Sequence, residues 1–197
     1  MEPKPSQPFA IFSARKEDAR AIAELAAMIE SDQIRAAAAG SARYAAILRE
    51  FENLILARER NRYSLENILV AKVGGRAIGM VLSFPADDQL ELDLHIAGHL
   101  RRRGIDAKLL AQEGIPGTYY LCDIGVLPQF RRRGIGGALF ETALIRARRF
   151  GFKRASLLAD RTRTGVEAFF GSMGWVQAEE SEIRLMDVGY RRLVKEL

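Results

Sequence analysis

Residues 123–139 read Asp-Ile-Gly-Val-Leu-Pro-Gln-Phe-Arg-Arg-Arg-Gly-Ile-Gly-Gly-Ala-Leu. An apolar run enters a basic, glycine-rich turn, and the turn opens a stretch with helical spacing. The first turn of a helix leaves about four backbone N–H groups without partners, and the helix dipole adds partial positive charge there. Together they form an anion site, with phosphate the usual occupant. Gly134, Gly136 and Gly137 have no Cβ to hold a phosphate off the backbone. Arg131, Arg132 and Arg133 add charge of the type that suits phosphate. The competing reading is a plain tight turn. The spacing is neither G-x-G-x-x-G with a later acid nor G-x-x-x-x-G-K-[ST], which disfavours dinucleotide folds and P-loop hydrolases.

A second pairing is His95 and His99, at i, i+4, which one helix face would present together. No H-E-x-x-H pattern surrounds them, and surface or packing roles are expected rather than a metal. Cys122 is the only cysteine, so neither an intramolecular disulfide nor a cysteine zinc site can form. This suits a reducing compartment, most simply the cytoplasm.

These residues need a scaffold to hold them. The 197 residues are 48% apolar and 28% charged, an ordinary globular composition. No apolar stretch approaches the ~20 residues of a membrane span, and no secretory signal is expected. Net charge is +5, unevenly spread: residues 77–99 carry −4 and residues 100–163 carry +9. Of the 30 basic residues 24 are Arg, by phosphate preference or by codon usage. A basic block invites nucleic acid, but no aromatic RNA signature, zinc-finger spacing or basic tail accompanies it.

Residues 1–8 hold three of six prolines and read as a tail. A single domain is expected over 9–197. Phe9–Ala14 reads as a strand, and 17–30 and 41–60 as amphipathic helices. Two apolar runs flank Gly74-Gly75, a hairpin signal. Residues 96–110 form a candidate helix, closed by a turn at Gly114–Gly117. Thr118–Val126 is a strand, 134–150 a helix, 155–159 a buried strand, 165–173 a short helix, and 175–188 one or two strands. The order implies a mixed α/β fold on one sheet.

Arg131-x-x-Gly134-x-Gly136 resembles the R/Q-x-x-G-x-G/A signature of the GNAT superfamily of N-acetyltransferases. The apolar strand ending at Val126, Pro128, and the helix from Gly134 agree with it. Val166-Glu-Ala-Phe-Phe170-Gly-Ser-Met-Gly174-Trp175 is similar to the family's late A-x-x-F-Y-x-x-x-G-F segment. The resemblance is strongest over 118–176. It implies a mostly antiparallel, splayed sheet flanked by helices, with acetyl-CoA as co-substrate. Backbone groups of Ile124 and Val126 would bond the pantetheine arm. The amides from Arg131 through Arg132, Arg133, Gly134, Ile135, Gly136 and Gly137 to Ala138 would hold the pyrophosphate. The implied reaction is direct attack by an amine on the thioester in a ternary complex, with the N–H of Val126 polarising the carbonyl. The acceptor would be a small molecule, an amino acid or a peptide, and a homodimer is possible, with 190–197 at its interface.

An attacking amine must be neutral, so a base usually helps. Tyr120 stands where some members carry glutamate, and Asp123 is the only carboxylate on its strand. Asp123 is the leading candidate, against a role as partner for an Arg; Cys122 reads as a small buried residue. A strand bulge would alter which way these residues face. The resemblance puts Phe170 at the cofactor, where many members carry a tyrosine that protonates the leaving thiolate. Phenylalanine cannot do so, which leaves open a catalytically impaired, acyl-CoA-binding sensor. The long segment 86–117 between strands three and four begins with Asp87, Asp88, Glu91 and Asp93, acids that would attract a cationic amine.

Overall fold

The computed structural model describes residues 8–29, 41–104, 111–162, 165–185 and 188–197. Seven strands, β1 (Ala10–Ser13), β2 (Ile68–Val73), β3 (Arg76–Pro85), β4 (Tyr119–Val126), β5 (Arg154–Asp160), β6 (Val176–Leu185) and β7 (Val188–Glu196), form one open sheet in the order β1-β2-β3-β4-β5-β7-β6. Among the described residues five helices accompany it: α1 (Ala19–Ile29), α2 (Ser41–Ile55), α3 (Gln89–Arg102), α4 (Ile135–Arg149) and α5 (Val166–Ser172). The pairs β1–β2, β2–β3, β5–β7 and β6–β7 are antiparallel, whereas β4 and β5 run parallel at three registered positions, Tyr119↔Ala155 to Leu121↔Leu157. A parallel pair needs a long crossover, and α4 supplies it. The mixed α/β, mostly antiparallel sheet matches the expectation. No described helix is long and apolar enough to cross a membrane.

The chain forms two compact units. The first comprises Met1–Leu82 and Asp123–Ala143. Its apolar positions follow the helical and strand periods: Ile22, Leu25 and Ala26 of α1, Ile68 and Val70 of β2, and Ile78 and Met80 of β3 are all buried. Gly74 and Gly75, with φ of +55° and +81°, make the tight turn between β2 and β3. Lys72 Nζ lies 2.6 Å from Asp18 Oδ1, a buried ion pair that joins the turn before α1 to β2. Helix α2 stops at Ile55, short of the expected residue 60. The cause is Asn61, whose amide donates to the carbonyls of Leu54 and Glu59 and draws the chain into a turn.

The second unit comprises Ser83–Cys122 and Leu144–Leu197. Here α3 differs from expectation: it runs over 89–102 rather than 96–110, and residues 105–110 lie outside those described. The acids expected to face an acceptor sit at its start, with Asp87 and Asp88 just before it and Glu91 in its first turn. Negative charge there complements the helix dipole. Gly104, at φ +75°, follows its end, and its N–H donates to the carbonyl of Arg101. The final residues form β7, an inner strand between β5 and β6.

Candidate active site

The loop after β4 gathers most of the expected anion-site residues. Val126, Phe130, Arg131, Arg132, Gly134, Ile135, Gly136 and Gly137 line one open pocket of about 240 Å³. Leu127 starts a turn of 3-10 helix, Pro128–Phe130, closed by the Phe130 N–H on the Leu127 carbonyl. Arg132 has φ +61° and Gly134 φ +78°. Adjacent left-handed and extended residues turn successive N–H groups toward one concavity, an arrangement that binds anions.

The amides divide sharply. Arg131 N–H donates to Pro128 O, and Ala138 N–H to Gly134 O. Both were expected on pyrophosphate, and both are already used. The N–H groups of residues 132–137 have no backbone acceptor among the described residues. A Cβ at Gly134 or Gly137 would meet nothing within 4 Å, so the space above the backbone is open. Six amides, the positive end of a 15-residue helix and exposed arginines fit a diphosphate.

The three arginines have different work. Arg131 Nε turns back to the carbonyl of Val126 at 2.9 Å, and Nη2 approaches Met28 Sδ at 3.8 Å. It ties the loop to the strand end, and it takes one of the two Val126 backbone groups expected on the pantetheine arm. Arg133 lies over the Phe130 ring, 5.5 Å from its centre. Arg132 and Arg133 are exposed beside the free amides. The strand itself is held close to its neighbour by a glycine. A Cβ at Gly79 would stand 3.1 Å from the Gly125 carbonyl and 3.2 Å from Leu139 and Val126 side chains.

The upstream half of β4 is built from side chains. Tyr119 and Tyr120 are each 1% exposed. Tyr119 packs edge-on against Phe150 and tilted against Phe152, and its hydroxyl donates to the Ser83 carbonyl at 3.2 Å. Burial pushes the Tyr119 hydroxyl above its ordinary pKa, against smaller opposing effects of Ser83 and Arg146. Tyr120 packs edge-on against Phe84, and its hydroxyl donates to Glu113 Oε2 at 2.7 Å. Tyr120, expected as a candidate base, is thus buried with its hydroxyl on a carboxylate.

Glu113 was missed by the sequence reading. It is 6% exposed and held from both sides of its backbone. Its N–H donates to Gln89 Oε1 at 2.9 Å, and its carbonyl accepts from Arg192 Nε at 3.0 Å. Gln89 also donates to Ala111 O and to Asp93, while Asp87 accepts from the Gly117 N–H. Two of the acids read as an amine lure therefore hold the segment 111–117 in place. The available signal was a lone acid just before the Gly-Ile-Pro-Gly turn.

Asp123, Cys122 and Ile124 are half-buried on β4. Phe170 is half-buried on α5, with its ring against Phe169 and Trp175. At the end of β5, Asp160 Oδ1 accepts from the Thr162 N–H and hydroxyl. His95 and His99 lie on α3, and no group of three metal-ligating side chains gathers among the described residues.

Comparison with known proteins places these features. Solved structures share the fold: an acetyltransferase at 24% identity, TM-score 0.78, covering 95% of this chain and 98% of its own. An N-acetyltransferase from Staphylococcus aureus Mu50 gives 21% identity, TM-score 0.78, and coverage of 94% and 99%. The PaiA N-acetyltransferase of Thermoplasma acidophilum, in complex with coenzyme A, gives 15% identity, TM-score 0.56, and coverage of 96% and 99%. No curated protein matches the sequence. The model of the acetyltransferase (GNAT) family matches residues 37–175, well over half the chain and all of the glycine-rich loop. The chain therefore belongs to the acetyltransferase (GNAT) family, with acetyl-CoA as its co-substrate.

Proposed function

We propose that the protein transfers the acetyl group of acetyl-CoA to a primary amine of a small molecule, amino acid or peptide. The observation that carries the reading is the run 132–137, whose N–H groups have no backbone acceptor among the described residues and of which Arg132, Gly134, Ile135, Gly136 and Gly137 line the pocket at the start of α4. These amides hold the pyrophosphate, with Arg132 and Arg133 neutralising it. The remaining backbone groups of Ile124 and Val126 align the pantetheine arm along β4, as an added strand would. Acetyl-CoA supplies an acyl group activated as a thioester. The chain's own contribution is positioning and a backbone N–H aimed at the thioester oxygen, which together account for catalysis without a covalent enzyme intermediate. The amine attacks in its neutral form, and a carboxylate within reach takes its proton.

The test is acetyl-CoA consumption, followed as free thiol, against a panel of the twenty amino acids, spermidine, n-butylamine and a tripeptide. Mass spectrometry of the products completes it. An amide product in step with thiol release is the expected result. Saturable acetyl-CoA binding with no acetylated product would end this reading. It would leave an acyl-CoA-binding sensor, the alternative that Phe170 favours by lacking a hydroxyl.

A further inference from the structure

We propose that α3 carries a self-docking surface, on which the same helix of a second copy of this chain lies antiparallel, seated on Leu90, Leu94 and Gly98. The surface belongs to one helix of the second unit and does not depend on the acyl-transfer reading. Gln89, Leu92, Asp93 and Ala97 are buried and mark the inner face of α3. Leu90, Leu94 and Gly98 follow one another at i, i+4 and i+8 along the opposite face, with Glu91, Arg101 and Arg102 beside them. Leu90 is 58% exposed and Leu94 46%.

A lone exposed leucine is ordinary. Two on one line, followed by a glycine, make a ridge and a notch. The notch has no cause within the chain. Gly98 sits inside a 14-residue helix, where glycine costs stability relative to alanine. Its φ is not positive, and a Cβ there would meet only Arg102 Nη1 at 3.6 Å, an ordinary contact. Nothing in the helix's own packing therefore demands glycine at 98. The close approach of another backbone does.

Charge selects the occupant. Asp87, Asp88 and Glu91 stand at the start of α3, and Arg101, Arg102 and Arg103 at its end. A second copy laid antiparallel about a two-fold axis brings each acidic end beside a basic one, whereas a parallel copy brings like charges together. Setting Leu94 on the partner's Gly98 also sets Glu91 opposite the partner's Arg101, and Leu90 along the stem of the partner's Arg102. The two-fold makes every such contact twice. Arg101 and Arg102 have contacts within their own chain, but both are exposed and a guanidinium has five N–H donors. A helix of 14 residues is about 21 Å long. One face of it buries less than the ~800 Å² a side of a standard complex, so the association is reversible, with Kd on the order of tens of micromolar.

Sedimentation velocity of the full chain, from about 1 to about 500 μM, brackets such a Kd. The wild-type protein is expected to pass from monomer to dimer across that range. Gly98→Leu fills the notch and should raise the dimer Kd at least tenfold, while its thermal midpoint stays level or rises because leucine is the better helix former. Glu91→Arg and Arg101→Glu should each weaken the dimer about tenfold, by setting like charges together at both symmetric contacts. The double variant, with both charges exchanged, should return to within about threefold of wild type. A role confined to the monomer cannot produce that rescue. A wild-type chain that stays monomeric at the highest concentration overturns the proposal. So does a dimer that Gly98→Leu leaves unchanged, since it is joined through another surface, and so does a double variant no tighter than its parents. If a charge variant fails to fold, Leu94→Gln at its exposed position decides: a Kd raised tenfold supports the proposal, and an unchanged Kd overturns it.

Discussion

The glycine-rich loop and the Glu113–Tyr120 cluster solve opposite problems. The loop offers backbone: six amides, glycines and an exposed rim. The cluster offers side chains: a buried carboxylate, phenol and glutamine, and a half-buried arginine. A site made of backbone tolerates changes of side chain but not the addition of bulk above the amides. A site made of side chains tolerates little of either, because each member holds the next. Substitutions in the loop should therefore move acetyl-CoA binding, and substitutions in the cluster should move stability.

The largest expected effect tests the first half of that contrast. Gly136→Val adds bulk over the free amides, and the nearest atom to its Cβ is a Val126 methyl at 3.9 Å, an ordinary contact. Acetyl-CoA affinity should fall at least 100-fold, about 2.7 kcal/mol, with a thermal midpoint within a few degrees of wild type. A folded variant with unchanged affinity in calorimetry would remove the pyrophosphate assignment.

Gly114→Ala tests the second half. Its Cβ has no room against Ala86 and Tyr120. Stability should drop by about 1–3 kcal/mol in urea titration. Acetyl-CoA should still bind within twofold, because the glycine-rich loop is built from other residues. A loss of acetyl-CoA affinity as large as that of Gly136→Val would break the comparison.

Arg131→Met is smaller and sits between the two classes, since a side chain here braces a backbone site. Losing the bond to the Val126 carbonyl should weaken acetyl-CoA about three- to tenfold, in line with about 1 kcal/mol for one hydrogen bond. No change would mean that the loop holds its shape without Arg131.

The smallest effect at neutral pH belongs to Tyr119→Phe, which loses the hydroxyl bond to the Ser83 carbonyl. Its pH dependence is more telling. Burial raises the folded-state pKa above 10.0, so the hydroxyl's contribution is full below pH 10. As pH rises past that value the unfolded state ionises first, and stability is lost through the folded pKa. Wild-type urea midpoints should decline more steeply than those of Tyr119→Phe between pH 9 and 11. Parallel declines would deny the burial effect.

The same contrast governs what the sequence discloses. The loop is contiguous, and its glycines and arginines occur in the order in which they act, so its site was legible. The hairpin at Gly74-Gly75 and helix α4 were legible for the same reason: turn residues and periodicity are local signals. Tyr120 was singled out on β4, but its meaning depends on Gln89 and Arg192, 31 residues before it and 72 after it. No local pattern links them. The boundaries of α3 were misjudged because its charged first turns look like a solvated loop until the helix dipole is considered. The early end of α2 depended on the side-chain amide of Asn61 reaching back to Leu54.

The position of β7 bears on how the protein is made. It follows β6 in the sequence, yet it lies between β5 and β6. Its seven registered pairs with β5 run from Arg154↔Glu196 to Asp160↔Tyr190. During translation β5 therefore waits with one edge bare while 27 further residues are added, roughly one to five seconds at ordinary elongation rates. A bare, apolar strand edge is the template on which nascent chains pair wrongly. The strand order β5-β7-β6 thus places the hazard of mispairing on the interval between β5 and β7, a stretch that contributes nothing to the lining of the phosphate-binding pocket.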